Sequence, residues 1–156
     1  QDRDQSPHGD PMAVDRRRDA RGRVVSTPVV AFDTNALMMP VEADVDPFVE
    51  LERLLGAIDA VVLPAVLSEL TRLSEGGTSM EARAARVGRR LAAEHCRTLP
   101  PRTDADGADA ALVSLSTAKE CDYVVTNDGP LRERLHALGM PVISLRGENT
   151  LAVIYP

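Results

Sequence analysis

From Val29 onward, short continuous apolar runs alternate with stretches in which apolar residues recur every three or four positions. "VVAF" at 29–32, "AVVLP" at 60–64, "DYVVTN" at 122–127 and "PVISL" at 141–145 are runs of the first kind, as expected for strands buried on both faces. "DPFVELERLLGAI" puts Phe48, Leu51, Leu55 and Ile58 at helical spacing. After Pro64, "AVLSELTRLS" predicts a second helix, and "SMEARAARVGRRLAAEHC" a longer and more polar third. "DADGADAALVSLSTAKE" opens a fourth and takes in Lys119. "GPLRERLHALG" has Pro130 at a helix's first position and Gly139 at its end. "TLAVIYP" reads as an edge strand. Strands separated by helices predict an α/β fold, a three-layer α/β/α arrangement around a parallel sheet of four to five strands.

Residues 1–27 lack this periodicity and are rich in Asp, Arg, Pro and Gly. They are expected to be a disordered tail or one added for expression, with Met12 a candidate natural start and 28–156 the folded domain. A chain of 156 residues with 44% hydrophobic positions suits one domain with a real core. It contains no apolar run near the ~20 residues of a membrane span and no secretory signal, so a cytoplasmic protein is expected. Cys96 and Cys121 fit no metal spacing and read as ordinary half-buried thiols. The net charge of −6 excludes a protein that coats nucleic acid by bulk charge. Lys119 is the single lysine, a bias that suits a salt-adapted or GC-rich source.

In a doubly wound sheet, strand ends and helix starts share the carboxyl edge, where ligands bind. Asp33 closes the first strand, and Asp128 follows "DYVVTN". Asp109 lies in the first turn of its helix. Glu69 shares the stripe of Val66, Leu70 and Leu73, where an unpaired charge is costly, and helical side chains lean toward the N-terminus and hence this edge. Asp109 precedes Leu112 by three and Val113 by four, so it too is expected to face the sheet. Each acid also has a local reading. Asp33 can form a turn with Thr34 and Asn35, Asp106 can cap a helix with Asp109 near its dipole, Asp128 can cap the next helix, and Glu69 can pair with Arg72. Four like charges on one edge would repel one another, and a divalent cation would relieve that conflict. Mg²⁺ and Mn²⁺ take oxygen ligands and need only one or two direct carboxylates.

"FDTN", "LSEL", "ADAALVSLS" and "VVTNDGPLRERL", in this order, resemble the PIN-domain nucleases over Val29 to Leu145, and "GMPVISLRG" resembles the closing strand of archaeal and ribosomal-RNA-processing members. The resemblance implies a divalent-metal-dependent endoribonuclease using Mg²⁺ or Mn²⁺ on single-stranded or structured RNA. It carries catalytic and metal-binding roles over to Asp33, Glu69, Asp109 and Asp128, with Asp33 and Asp128 as direct ligands. Asn35, Thr126 and Asn127 become supporting residues, and Asp104 and Asp106 capping or outlying ones. It further implies a homodimer. Two roles compete within the family, RNA processing and a VapC-type toxin bound by an antitoxin protein, and the closing segment favours processing.

Arg83, Arg86, Arg89 and Arg90 recur at helical spacing on the third helix and form a candidate RNA-binding strip, although Glu81 and Glu94 flank it and a solvated face explains it as well. With Phe32, Phe48, Tyr123 and Tyr155 as the only aromatics, an extended base-stacking platform is not expected. His8, His95 and His136 belong to no ligand spacing. A receiver-like phosphotransfer fold would need a lysine ending a late strand, and a haloacid-dehalogenase-like phosphatase an Asp-x-Asp pair where position 35 is asparagine. A non-catalytic RNA-binding module on the same fold is the remaining alternative, and the full set of four acids speaks against it.

Overall fold

The continuous apolar runs form the middle of one sheet. The computed structural model describes residues 16–18 and 24–156. Its strands are β1 (Arg16–Arg18), β2 (Val24–Ser26), β3 (Val29–Phe32), β4 (Asp59–Val62), β5 (Arg97–Thr98), β6 (Tyr123–Val125), β7 (Val142–Arg146) and β8 (Thr150–Ile154). Its helices are α1 (Thr34–Glu42), α2 (Pro47–Leu55), α3 (Pro64–Ser74), α4 (Met80–His95), α5 (Ala108–Thr117) and α6 (Gly129–Ala137). Strands β3 to β8 make a six-stranded sheet in the order β5-β4-β3-β6-β7-β8, in which β5 to β7 run parallel and β8 returns antiparallel. The expected α/β fold is present: the four apolar runs are parallel strands, the fifth parallel strand is β5 and not the expected "TLAVIYP", and that segment forms the antiparallel β8.

Chain direction across the sheet fixes where a ligand can enter. From β3 the chain steps outward through β4 to β5, then crosses to β6 and steps the other way to β8. The reversal falls between β3 and β6, and the crevice at the carboxyl ends of two such strands is where open α/β sheets bind ligands. Register sets Phe32 beside Val125, so Asp33 lies next to Thr126. The Asp33 N–H donates to the Val125 carbonyl at 3.0 Å, and the Thr126 N–H to the Ile143 carbonyl at 3.0 Å.

Val30, Phe32, Val61, Val124 and Ile143 are fully buried in the strands, and Leu37, Leu51, Leu70, Leu112 and Leu135 bury one from each of five helices. Full burial of such side chains contributes about 1.5–3 kcal/mol apiece. Helix α4 turns a row of small residues, Ala84, Ala85, Gly88 and Ala92, into this core, and α1 packs closely on it. At Gly88 a Cβ would stand 2.8 Å from the Leu37 carbonyl oxygen. Alanine raises helix propensity by about 1 kcal/mol over glycine, but this contact is with backbone and is relieved only by separating two helices. Gly88→Ala is therefore expected to lower stability by a net amount of about 1–3 kcal/mol, read as a lower denaturant midpoint with an unchanged slope.

At Leu151 the outer edge of β8 is met by side chains of α2. Glu50 Oε1 on α2 accepts the Leu151 N–H at 2.9 Å, Arg53 Nη2 donates to the Leu151 carbonyl at 3.0 Å, and the two side chains pair with each other at 2.8 Å.

The structure departs from the sequence reading in several places. Helix α1 has no counterpart among the expected elements: Asp33 caps it, and it continues through Pro40. Strand β5 is two residues long, too short for a period to register. Ile58 lies beyond α2, which Gly56 ends with a φ of 75°. Helix α5 starts at Ala108 behind Gly107, so Asp106 is not its cap. Lys119 is not helical either, and sits in the turn after α5 with a φ of 58°. Within 1–27, expected to lack structure, Arg16–Arg18 pairs antiparallel with Val24–Ser26. The rest of that expectation, with Met12 and His8, lies outside the described residues. The two thiols are free, Cys121 buried and Cys96 partly so, and burial pushes both up to about 12. His95 stacks on Phe48 with ring centres 4.5 Å apart, and His136 Nε2 lies 3.0 Å from the Ile154 carbonyl oxygen. No helix among the described residues is long and apolar enough to cross a membrane.

Candidate active site

Asp33, Glu69, Asp109 and Asp128, carried by four different parts of the chain, line one groove of about 230 Å³ at the β3–β6 crevice. Asp33 reaches it from the end of β3, Asp128 from the start of α6, Asp109 from the first turn of α5 and Glu69 from the middle of α3. Asn35, Thr34, Met38 and Leu73 complete the central part of the lining.

Asp33 is the deepest of the acids, with 3% of its surface exposed. Its Oδ1 accepts the Thr34 N–H at 2.7 Å, which caps α1. Its Oδ2 accepts the Thr126 hydroxyl at 2.6 Å and the Asn35 Nδ2 at 3.1 Å. Burial pushes the carboxyl up from its ordinary 3.8 to about 6, against the lowering effect of the Thr126 and Thr34 donors and with Asp109 and Glu69 adding repulsion. The local turn reading of Asp33 is thus correct and incomplete, since the same carboxylate both caps a helix and forms the groove floor.

A lattice of polar contacts holds that floor. Thr126, fully buried, accepts the Asp128 N–H on its Oγ1 at 3.1 Å while donating to Asp33. Asn35 Oδ1 accepts the Asn127 N–H at 2.9 Å, and Asn127 Oδ1 accepts the Leu145 N–H at 2.9 Å. The Ser144 hydroxyl donates to the Thr126 carbonyl. Asn35, Thr126 and Asn127 therefore surround the first and last acids and tie β3, β6 and β7 together.

The other acids occupy the walls. Asp128 Oδ1 accepts the Leu131 N–H at 3.0 Å, so it caps α6, and it borders the groove as well. Glu69 Oε1 accepts the Thr34 hydroxyl at 2.5 Å, while Oε2 lies 3.7 Å from Arg72 in an exposed pair worth little. Asp109 is exposed and does not turn in to the sheet as expected, because its position in the first turn of α5 faces the open groove. Partial burial, then Asp128 and Glu69, raise its pKa, with Arg134 opposing. Asp104 takes the Ser114 hydroxyl at 2.8 Å and braces the loop before α5. Neither Asp104 nor Asp106 lines the groove.

Sequence reasoning missed three participants. Glu42 and Glu81 extend the acidic lining at one end, and burial followed by repulsion from Glu81 raises the pKa of Glu42. Thr34 joins two of the acids. Glu42 and Thr34 sit on α1, and without that helix no face could be assigned to them. The arginine strip does not converge here. Arg86 Nη1 donates to the Ser74 carbonyl at 2.9 Å, Arg89 lines a separate groove with Leu67 and Thr71, and none of Arg83, Arg86, Arg89 and Arg90 lines the acidic one.

Among the described residues no three His, Cys, Asp or Glu side chains form a ready-made ion cage. The donor set around the groove is nevertheless all oxygen and acidic, and burial together with mutual repulsion raises the pKa of three of its carboxyls, Asp33, Asp109 and Glu42. It suits a hard divalent cation that keeps several waters and takes one or two carboxylates directly, and does not suit a closed structural site.

A sequence profile described as a PIN like domain matches residues 30–148. Among solved structures, that of the PIN domain endonuclease Utp24 superposes with a TM-score of 0.66 at 25% identity, over 80% of this chain and 90% of the other. Comparison with curated proteins gave no match.

Proposed function

Because this chain belongs to the PIN-like domain family and has the fold of a PIN-domain nuclease, we propose that it is a divalent-metal-dependent endoribonuclease that hydrolyses single-stranded or structured RNA in RNA processing. The observation that carries this reading is the convergence of four carboxylates from separate elements on one crevice, with the most buried of them at its floor.

Asp33 and Asp128 would hold Mg²⁺ or Mn²⁺ directly, with Glu69 and Asp109 placed to act through water. When bound, the cation supplies positive charge opposite the scissile phosphate and acidifies water. The protein's own groups do the rest. Thr126, Asn35 and the Thr34 N–H donate to Asp33 and favour its ionised form. Glu69 and Asp109, on opposite helices, orient the attacking water and take up its proton. The water oxygen bonds to phosphorus, the bond from phosphorus to the leaving ribose oxygen breaks, and that oxygen takes a proton from solvent. Near-neutral operation suits the Asp109 carboxyl, which partial burial holds above its ordinary range.

Single-stranded RNA incubated with Mg²⁺ or Mn²⁺ is expected to be cut, and excess chelator to stop the cutting. Asp128→Asn keeps the α6 cap, since asparagine caps as well as aspartate, yet removes a groove charge. It should fold normally and lose cleavage. Cutting that survives both the chelator and this substitution would mean a contaminant or another site.

A further inference from the structure

Thr34 touches two of the four acids at once. Its N–H donates to Asp33 Oδ1 at 2.7 Å, its hydroxyl donates to Glu69 Oε1 at 2.5 Å, and the residue is 6% exposed. The first contact is made by backbone and survives any substitution other than proline. The second is made by side chain, and it is the hydrogen bond that links α1 to the acid of α3. Among the described residues, Glu69 has only the long, exposed contact with Arg72 to restrain its other oxygen. A glutamate has three side-chain torsions, so without a partner it would sample rotamers that leave the groove. A threonine hydroxyl, on a β-branched side chain with restricted χ1, is a stiff donor.

We propose that Thr34 is a positioning residue for the cation site, fixing the Glu69 carboxylate at a set separation from Asp33. This rests on the metal-dependent reading above. Partners that orient a directly ligating carboxylate are worth roughly 10–100-fold in metal affinity, and Glu69 acts through water, so Thr34→Val, which keeps the shape and loses the donor, should raise the half-saturating Mn²⁺ concentration by about 3–10-fold. Thr34→Ser, which restores a hydroxyl, should return it close to wild type. Because the effect runs through Glu69, adding Thr34→Val to Glu69→Gln should change Mn²⁺ affinity little further.

The measurement is Mn²⁺ titration followed by the rise in melting temperature, which needs no turnover, with cleavage assayed in parallel. The metal-free melting temperature and circular dichroism report whether each variant folds, and Thr34→Ala takes the place of the valine variant should that one unfold. Wild-type half-saturation in the valine variant, no recovery in serine, or full additivity with Glu69→Gln would each overturn the assignment to Thr34 while leaving the metal-dependent reading standing. A wild-type protein whose melting temperature ignores Mn²⁺ would overturn both.

Discussion

Asp33→Asn is expected to make the metal-free protein more stable at pH 8 while lowering RNA cleavage by at least about 100-fold, the order lost when one electrostatic group of an active site is removed. The stability sign follows from linkage. The Asp33 carboxyl titrates at about 6 when folded and at its ordinary 3.8 when unfolded. Below pH 4 both states hold the proton and the group contributes nothing. Between about pH 4 and 6 the unfolded chain ionises first, so stability falls as pH rises, and above 6 the full penalty of about 3 kcal/mol applies. Asparagine carries no charge and escapes it, less whatever its amide loses against Thr126 and Asn35. Chemical denaturation of both proteins at pH 4 and pH 8, in chelator, checks this: the variant should gain on wild type only at the higher pH. Mg²⁺ should stabilise wild type more than the variant at pH 8, because a ligand that binds only the folded state adds stability by mass action. Equal response to pH in the two proteins would remove the claim that Asp33 is a buried, strained charge.

The opposite sign is expected one residue-layer behind. Thr126→Val removes the 2.6 Å hydroxyl donor to Asp33 and, with the same atom, the 3.1 Å acceptor of the Asp128 N–H. Hydrogen bonds to charged groups are worth about 1.5–3 kcal/mol, and a buried amide left without a partner costs about 1–3. Asn35 and water recover part of this, so a loss of about 2–4 kcal/mol is expected near pH 8. Thr126 is also the main group holding the Asp33 carboxyl down. Its removal should raise that pKa further, so the deficit should shrink below pH 6, where Asp33 is protonated. Urea midpoints across pH distinguish this from a simple packing loss, which would be independent of pH.

Much of this site is legible in the chain because its acids stand where periodicity changes. Asp33 and Asp128 follow runs whose apolar continuity marks strands, and Glu69 and Asp109 sit at positions fixed by helical spacing. What stays hidden depends on partners distant in sequence. The link from Thr34 to Glu69 spans 35 residues and needs α1, whose "TNALMMPVE" has a near-continuous apolar run and a proline but no clear polar face. Strand order, which puts β3 beside β6, is a property of the assembled sheet and leaves no local period. The antiparallel return of β8 does have a local signal that periodicity alone passes over: Gly147, with a φ of 71°, opens a three-residue connection from β7. Asp109 departs from its expected burial for a different reason. Heptad-like spacing locates a residue relative to its own helix, whereas exposure at the first turn depends on whether anything covers the helix's start.

The Glu50–Arg53 pair that occupies the outside of β8 bears on how the molecule behaves in a crowd. An unguarded outermost strand offers its amides and carbonyls as a template for the next chain, the route to fibrils and to adventitious strand exchange. Here a donor and an acceptor at Leu151 are already answered by charged side chains from the same molecule, and at the far border only the two residues of β5 are on offer. Edge-to-edge addition of a strand from a neighbouring copy is thereby hindered at Leu151, by two side chains of α2.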